Sequence, residues 1–357
     1  MPDAKGDEAL REGARILTIC NACRYCEGYC AVFPALERRV SFSAADMNYL
    51  ANLCHSCAEC YYACPYTPPH EFAVNVPKTL SEIRVASYHQ YGWPAGEWPA
   101  PVAFFIGLAL WIGIERGRSV SGLPGDFYGF IRHGMMAGVF GAIALFALFA
   151  LLAGFVRFWR ESGEGFPGLL DFPALRRAAA DVLALKYLAG EGRGCTYPDE
   201  SHSRARWWFH HLTFYGFLLC FASTTVAAIY HYVFGWIAPY AYLSWPVVLG
   251  ILGGLGLLIG PAGLFGLKQR QDAATRAAEQ NRLDIAFIAL LFLTSATGLA
   301  LLAFRETAAM PALLAVHLAI VLALFATLPY GKFVHAIYRT GALLRYALEQ
   351  SREEKTV

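Results

Sequence analysis

Beyond residue 97 the apolar positions gather into six runs, at approximately 98–115, 133–156, 209–234, 244–267, 283–304 and 309–331. A bilayer core takes roughly 20 residues of helix, so most of these runs predict membrane spans. The first is the shortest, with an uncharged stretch from Trp98 to Ile114 that predicts a span and has an interfacial or re-entrant segment as its alternative. Before residue 97 the pattern is polar with short apolar stretches, and it closes in a Pro/Trp/Gly-rich linker, Tyr91 to Pro101. The pattern therefore divides the chain into a domain at 1–97, a six-span membrane domain at 98–340 and a tail at 341–357.

Between the second and third runs lies a long loop, 157–208, in which Leu169 to Leu188 predicts a short surface helix and Gly190 to Gly194 a turn. This loop could pack beneath the first domain. The glycines of the fourth run, Gly250, Gly253, Gly254, Gly256 and Gly260, predict close helix packing in lipid.

Charge orients the runs. Loop 157–208 carries eight Lys/Arg, 268–282 four and the segment from Lys332 onward five, whereas the opposite loops hold only Arg116, Arg118, Arg132 and Arg305. Six spans with both termini in the cytoplasm satisfy the positive-inside rule; five would put the first domain outside. The charged start, Met1 to Glu12, lacks the apolar core of a secretory signal. A bacterial inner-membrane protein is the expectation.

The hydrophobic fraction of 57% fits a membrane protein, and a net charge of +2 with scattered basic residues gives no reason to expect a nucleic-acid partner. Eight of the ten cysteines fall between Cys20 and Cys64, too local for a disulfide framework. Cys20, Cys23, Cys26 and Cys30 are spaced C-x2-C-x2-C-x3-C; Cys54, Cys57, Cys60 and Cys64 repeat the spacing, with Pro65 following. In two-cluster ferredoxins three thiolates of such a motif hold one cubane and the fourth reaches the other. The expected ligand sets are Cys20, Cys23, Cys26 and Cys64 for one [4Fe-4S] cluster, and Cys54, Cys57, Cys60 and Cys30 for the other. Paired zinc sites are the competing reading, disfavoured because structural zinc wants two close pairs set apart. Cys195 and Cys220 have no partner at ligand spacing and are expected to be dispensable; His55, between two ligand cysteines, stays outside the ligand list.

A histidine inside a span is costly unless it has a partner. His317 and His335 are eighteen residues apart, five turns of one helix, and so project from one face. His210 and His231 in the third run share a face to within roughly 60°, and His211 faces nearly the opposite way. Antiparallel spans would set His210 against His335 on the cytoplasmic side and His231 against His317 on the outer side, with His211 or His133 as alternatives. Two imidazoles close the coordination of haem iron, which suits b-type haem in electron relay. The alternative reading of His231 is an interfacial residue beside Tyr230 and Tyr232. The expected fold is mainly α, a small ferredoxin-like domain with two [4Fe-4S] clusters followed by a six-helix transmembrane haem-binding bundle. No Gly-x-Gly-x-x-Gly follows a strand-like run, so no flavin is expected on this chain.

The segments Cys20 to Pro34, Tyr49 to Cys60, Pro68 to Pro77 and Phe209 to Phe217 resemble the tricarballylate (citrate) utilisation protein B family over nearly the whole chain. The membrane half also resembles the gamma (cytochrome b) subunit of membrane nitrate reductases, through His317 and the string Leu328 to His335. The pair His210-His211 departs from that pattern and leaves one or two haems open. The resemblance implies a partner FAD-containing tricarballylate dehydrogenase whose reduced flavin this chain reoxidises, with electrons passing to the membrane quinone pool. It also leaves room for a quinol-oxidising subunit like those of heterodisulfide reductases, or for the electron partner of a flavoprotein in cobalamin synthesis. Docking is expected around Pro68 to Pro77, near the basic residues Arg38, Arg39, Lys78 and Arg84. A transporter would show broken helices or repeats at mid-membrane, and none is visible in the sequence.

Overall fold

The computed structural model describes residues 4–92, 103–109, 125–192 and 194–355. The first domain comprises α1 (Ala4–Cys23), α2 (Val32–Glu37), α3 (Ala44–Leu53), α4 (Glu59–Tyr62) and α5 (Val76–Tyr91). Local chemistry sets the borders of α3 and α5. Ser43 and Asp46 form a reciprocal capping box that starts α3, and the Asn75 side chain accepts from the Lys78 amide to start α5. Past α3 the chain turns extended at Cys54, and Ser56 and Ala58 both take left-handed backbone (φ 53° and 66°). That strained path coils the loop tightly enough for Cys54, Cys57 and Cys60 to face one another.

The second part holds α6 (Phe127–Phe130), α7 (His133–Glu161), α8 (Phe172–Leu183), the two-residue strands β1 (Cys195–Thr196) and β2 (His202–Ser203), α9 (Ala205–Tyr232), α10 (Trp245–Arg270), α11 (Ala278–Ala303), α12 (Met310–Thr327) and α13 (Val334–Glu354). Five of these, α7 and α9 to α12, are long and apolar enough to cross a membrane. Of the first expected span, residues 98–102 and 110–115 lie outside the described residues. Residues 103–109 are helical and pack on α12, where a Cβ at Gly107 would lie 2.7 Å from Leu322 and 3.3 Å from Ala319.

The sixth run departs from expectation. Its helix stops at Thr327, and a new one begins at Val334, so His317 and His335 do not share one helix face. Pro329 explains the break, because its ring would clash with the carbonyl four residues back and it has no N–H to donate. Residues 341–354, read as part of a tail, instead complete α13, which turns back into the first domain.

Glycine lets α9 and α10 touch backbone to backbone. A Cβ at Gly253 would lie 2.8 Å from the Cys220 nitrogen, one at Gly256 2.8 Å from the Leu212 carbonyl, and one at Gly260 2.7 Å from the Thr213 nitrogen. In lipid, where apolar burial gives helices little reason to associate, such contact supplies the attraction through packing. It also fixes the rotation of α9 and hence the direction of His210.

One apolar core joins the cysteine domain, the loop after α7 and α13, with Tyr49, Leu50, Ile83, Trp159, Ala178, Tyr338 and Leu344 among its residues. At its edge Glu349 of α13 accepts from Arg39 (2.6 Å) and from the Tyr49 hydroxyl (3.1 Å), and lies 3.3 Å from Arg345. The guanidinium groups of Arg39 and Arg345 lie over the Tyr49 ring at 4.9 and 4.2 Å. Arg38 pairs with Glu353 (2.5 Å). Arg38 and Arg39 therefore bind α13 rather than a docking surface, and Arg84, 5% exposed, faces inward. Glu349→Ala leaves Arg39, 9% exposed at its side chain, without this partner. Arg39 keeps Asp46 at 2.7 Å, so the expected cost is about 2 kcal/mol, seen as a lower thermal midpoint of the detergent-purified protein and earlier proteolytic release of the first domain. An unchanged midpoint would contradict the role given to this ion pair.

Candidate functional site

Two small cavities in the first domain are walled by cysteine. One is lined by Cys20, Cys23, Cys26 and Cys64, with Cys60 at its edge and Phe33, Tyr66 and Val74 closing it. The other is lined by Cys30, Cys54, Cys57 and Cys60, with Val32, Val76 and Pro77. The fourth cysteine of each motif thus lies in the cavity that the first three of the other motif line. Burial, then the neighbouring Cys26, Cys64 and Cys23, pushes the Cys20 thiol up to about 12. Burial with Cys57 and Cys54 pushes Cys30 and Cys60 well above the usual thiol range. Four thiols so placed do not ionise together unless a cation compensates them, which is the chemistry of a metal–sulfur site.

Cys195 is not alone in space. Strand β1 lies against the second cysteine loop, with the Thr196 hydroxyl 3.3 Å from the Cys57 carbonyl. The sulfur of Cys195, fully buried, lies 3.7 Å from His55 Nε2, and one ligand atom each from His55, Cys57 and Cys195 falls within 4.8 Å of the others. A hydrogen bond between the two thiols lowers Cys195 and is the largest influence raising Cys57, while burial holds His55 below the usual imidazole range. Sequence spacing could not reveal this approach across 138 positions, which only the packing of the loop beneath the domain produces.

A larger cavity, about 350 Å³, lies between the cysteine domain and the helices of the second part. Cys54, His55 and Ser56 line one end, and His210 of α9 and His335 of α13 line it from the membrane half. The two imidazole centres are 6.3 Å apart. A metal–nitrogen bond of about 2 Å on each side, plus about 1 Å from nitrogen to ring centre, spans about 6 Å, so the pair is spaced to hold one metal between them. His335 Nδ1 lies 2.6 Å from the Lys332 carbonyl, a contact that requires the proton on Nδ1 and leaves Nε2 free as a ligand. Among the described residues, His210 Nδ1 has no hydrogen-bond partner. His211 turns away, its Nδ1 3.0 Å from the Trp207 carbonyl and its ring on Trp207.

The outer pair is arranged differently. His231 stacks on His133, ring centres 3.8 Å apart, and His317 Nδ1 instead lies 3.0 Å from Thr297 Oγ1. No ring contact joins His231 to His317 among the described residues. Depth explains this: His231 ends α9, whereas His317 lies seven residues into α12, roughly 10 Å along its axis.

Basic side chains crowd the large cavity. Lys268 and Lys332 both pair with Asp284, at 2.7 and 2.9 Å. Arg84 donates to the Ala51 carbonyl (2.7 Å), Arg339 to that of Leu53 (3.0 Å) and Arg206 to that of Ser56 (2.8 Å). Burial, and next the like charge of Arg84, hold Arg339 below the usual arginine range. Sequence reasoning did not connect these arginines with the histidines; the signal was the one-turn spacing of Arg206 from His210 and of Arg339 from His335.

Thiol-lined pockets in a small head, set on helices of membrane-spanning length, define a membrane protein with a ferredoxin-like domain. Residues 13–90 match the family model described as the Citrate utilization protein B Fer4-like domain, and residues 102–356 the one described as Citrate utilization protein B. A Citrate utilization protein B of Escherichia coli is 47% identical over 358 residues, covering 97% of this chain and 94% of the relative. The chain belongs to the citrate utilization protein B family. No solved structure matches it.

Proposed function

We propose that this chain is the membrane electron-transfer partner of an FAD-containing dehydrogenase, by resemblance tricarballylate dehydrogenase, and that it passes electrons from the reduced flavin to the quinone pool of a bacterial inner membrane. Its head and both termini would face the cytoplasm. Cys20, Cys23, Cys26 and Cys64 would hold one [4Fe-4S] cluster, Cys54, Cys57, Cys60 and Cys30 the other, and His210 and His335 a b-type haem. These groups each carry one electron at a time, which divides the two-electron output of a flavin.

The observation that carries this reading is a shared wall: Cys54 and His55 line both the second cysteine cavity and the large cavity that reaches His210 and His335. A thiol site and an imidazole pair on either side of one loop support the reading as a transfer path. The chain's own residues hold the pieces still. Arg84 and Arg339 fasten the last turn of α3, and Arg206 the Ser56 carbonyl of the loop that follows, to three different helices, and the Nδ1 contact to Lys332 orients His335. Tyr25, 62% exposed, edges the first cysteine cavity and marks the side where a soluble donor would approach. His317 and His231, in separate surroundings, would serve a second haem only with different partners.

Cys64→Ser and Cys30→Ser should each remove one cluster, taking acid-labile sulfide from about eight to about four per chain, whereas Cys220→Ala should keep the full complement. Sulfide near the wild-type value in Cys64→Ser would contradict the ligand set. His335→Ala should abolish the His210-linked haem while sulfide stays at its wild-type level; an unchanged haem-to-protein ratio would refute that assignment. The function is tested by supplying the purified protein anaerobically with enzymatically reduced flavoprotein and a soluble quinone analogue. Quinol formation that depends on the chain and fails in Cys64→Ser supports the proposal. Flavin oxidation at the same slow rate with and without the chain would overturn it.

A further inference from the structure

The large cavity has a charge imbalance that protein alone does not resolve. Its walls carry five cationic side chains, Arg84, Arg206, Lys268, Lys332 and Arg339, against the carboxylates of Asp181 and Asp284. Asp284 is shared by the two lysines, and Asp181 pairs with Lys186. Among the described residues no carboxylate pairs with Arg84, Arg206 or Arg339. A cation drawn out of water without a counter-charge is costly, and a folded chain keeps it where an anion joins it.

Their placement says which anion. Arg206 stands one helical turn before His210 on α9, and Arg339 one turn after His335 on α13, so each lies on its histidine's face of the helix. All three line the same cavity as the imidazoles. Arg206 and Arg339 each spend one N–H group on a backbone carbonyl and have further donors in the fork, the geometry that receives carboxylate oxygens, whereas Arg84 also donates to the Ser56 hydroxyl and to Gln280. A ligand that puts a metal between two imidazoles and carboxylates about one helical turn away is a metalloporphyrin with acidic side chains.

Resting on the haem reading above, we infer that Arg206 and Arg339, with Arg84 behind them, bind the carboxylate side chains of the haem and tie them to the carbonyls of Ser56 in the cysteine loop and Leu53 at the end of α3 that leads into it. The arginines then have two effects. Their positive charge favours the reduced haem, and their carbonyl contacts make the cysteine loop and the haem edge one rigid unit. Lys268 and Lys332 are excluded from this role because Asp284 already satisfies them.

The test uses full-length protein purified in detergent, as wild type, Arg206→Gln, Arg339→Gln, the double variant and Arg339→Lys. Haem per chain, acid-labile sulfide and the haem midpoint potential by optical titration are measured on each. Each single glutamine variant should keep its sulfide and shift the ferric/ferrous equilibrium about tenfold toward ferric, a fall of about 59 mV for a one-electron couple. Arg339→Lys should restore most of that shift, and the double variant should lose haem. Wild-type haem content and potential in the double variant would overturn the inference while leaving the haem reading intact. So would parallel loss of sulfide and haem in every variant, since it would mean a purely structural role. Wild-type protein without haem would overturn the haem reading and this inference with it.

Discussion

The distance between the cysteine loops and the histidine pair is set by one helix. Val334–Glu354 carries His335 in its first turn and Arg339 in its second, and ends against the first domain through Glu349. A rigid helix advances about 1.5 Å per residue, so the ion pairs at its far end and the imidazole at its near end cannot move independently. That constraint gives the cavity a defined width where a hinged linker would leave it variable. The side chains that keep Glu349 in place, Arg39, Arg345 and Tyr49, are therefore part of how the site is built, although none of them lines the large cavity.

The membrane half meets the same requirement by other means. Close glycine contact between α9 and α10 fixes the rotation of His210, since a helix pressed backbone to backbone has little freedom to turn. The two histidines thus reach one cavity from opposite origins, one held by packing in lipid and the other by a helix anchored in the soluble head. His317 shows the contrast: with Thr297 as its partner in the neighbouring helix, it is satisfied within the bundle.

Features encoded locally were legible in the sequence. The C-x2-C-x2-C spacings anticipate three thiols at each cavity, since a few residues of loop determine their convergence, while the fourth, Cys64 or Cys30, arrives from the other motif through the packing of the domain. Apolar run lengths anticipate five of the spans, and the glycine-rich fourth run its packing. Features created by tertiary folding were not. Helical periodicity carried His317 and His335 through Pro329 as if the helix continued, and the proline stops it. Arg84 and Arg38 look like surface cations until the domain and α13 close over them. Cys195 had no neighbour at ligand spacing, yet the loop brings it to His55 and Cys57 from far along the chain.

The central claim is that one chain joins a two-cluster head to a haem held between His210 and His335. Iron, acid-labile sulfide and pyridine-haemochrome content of the purified protein test it most directly. The account predicts about eight sulfides per chain together with b-type haem whose reduced spectrum is low-spin. Full sulfide with no haem would contradict it.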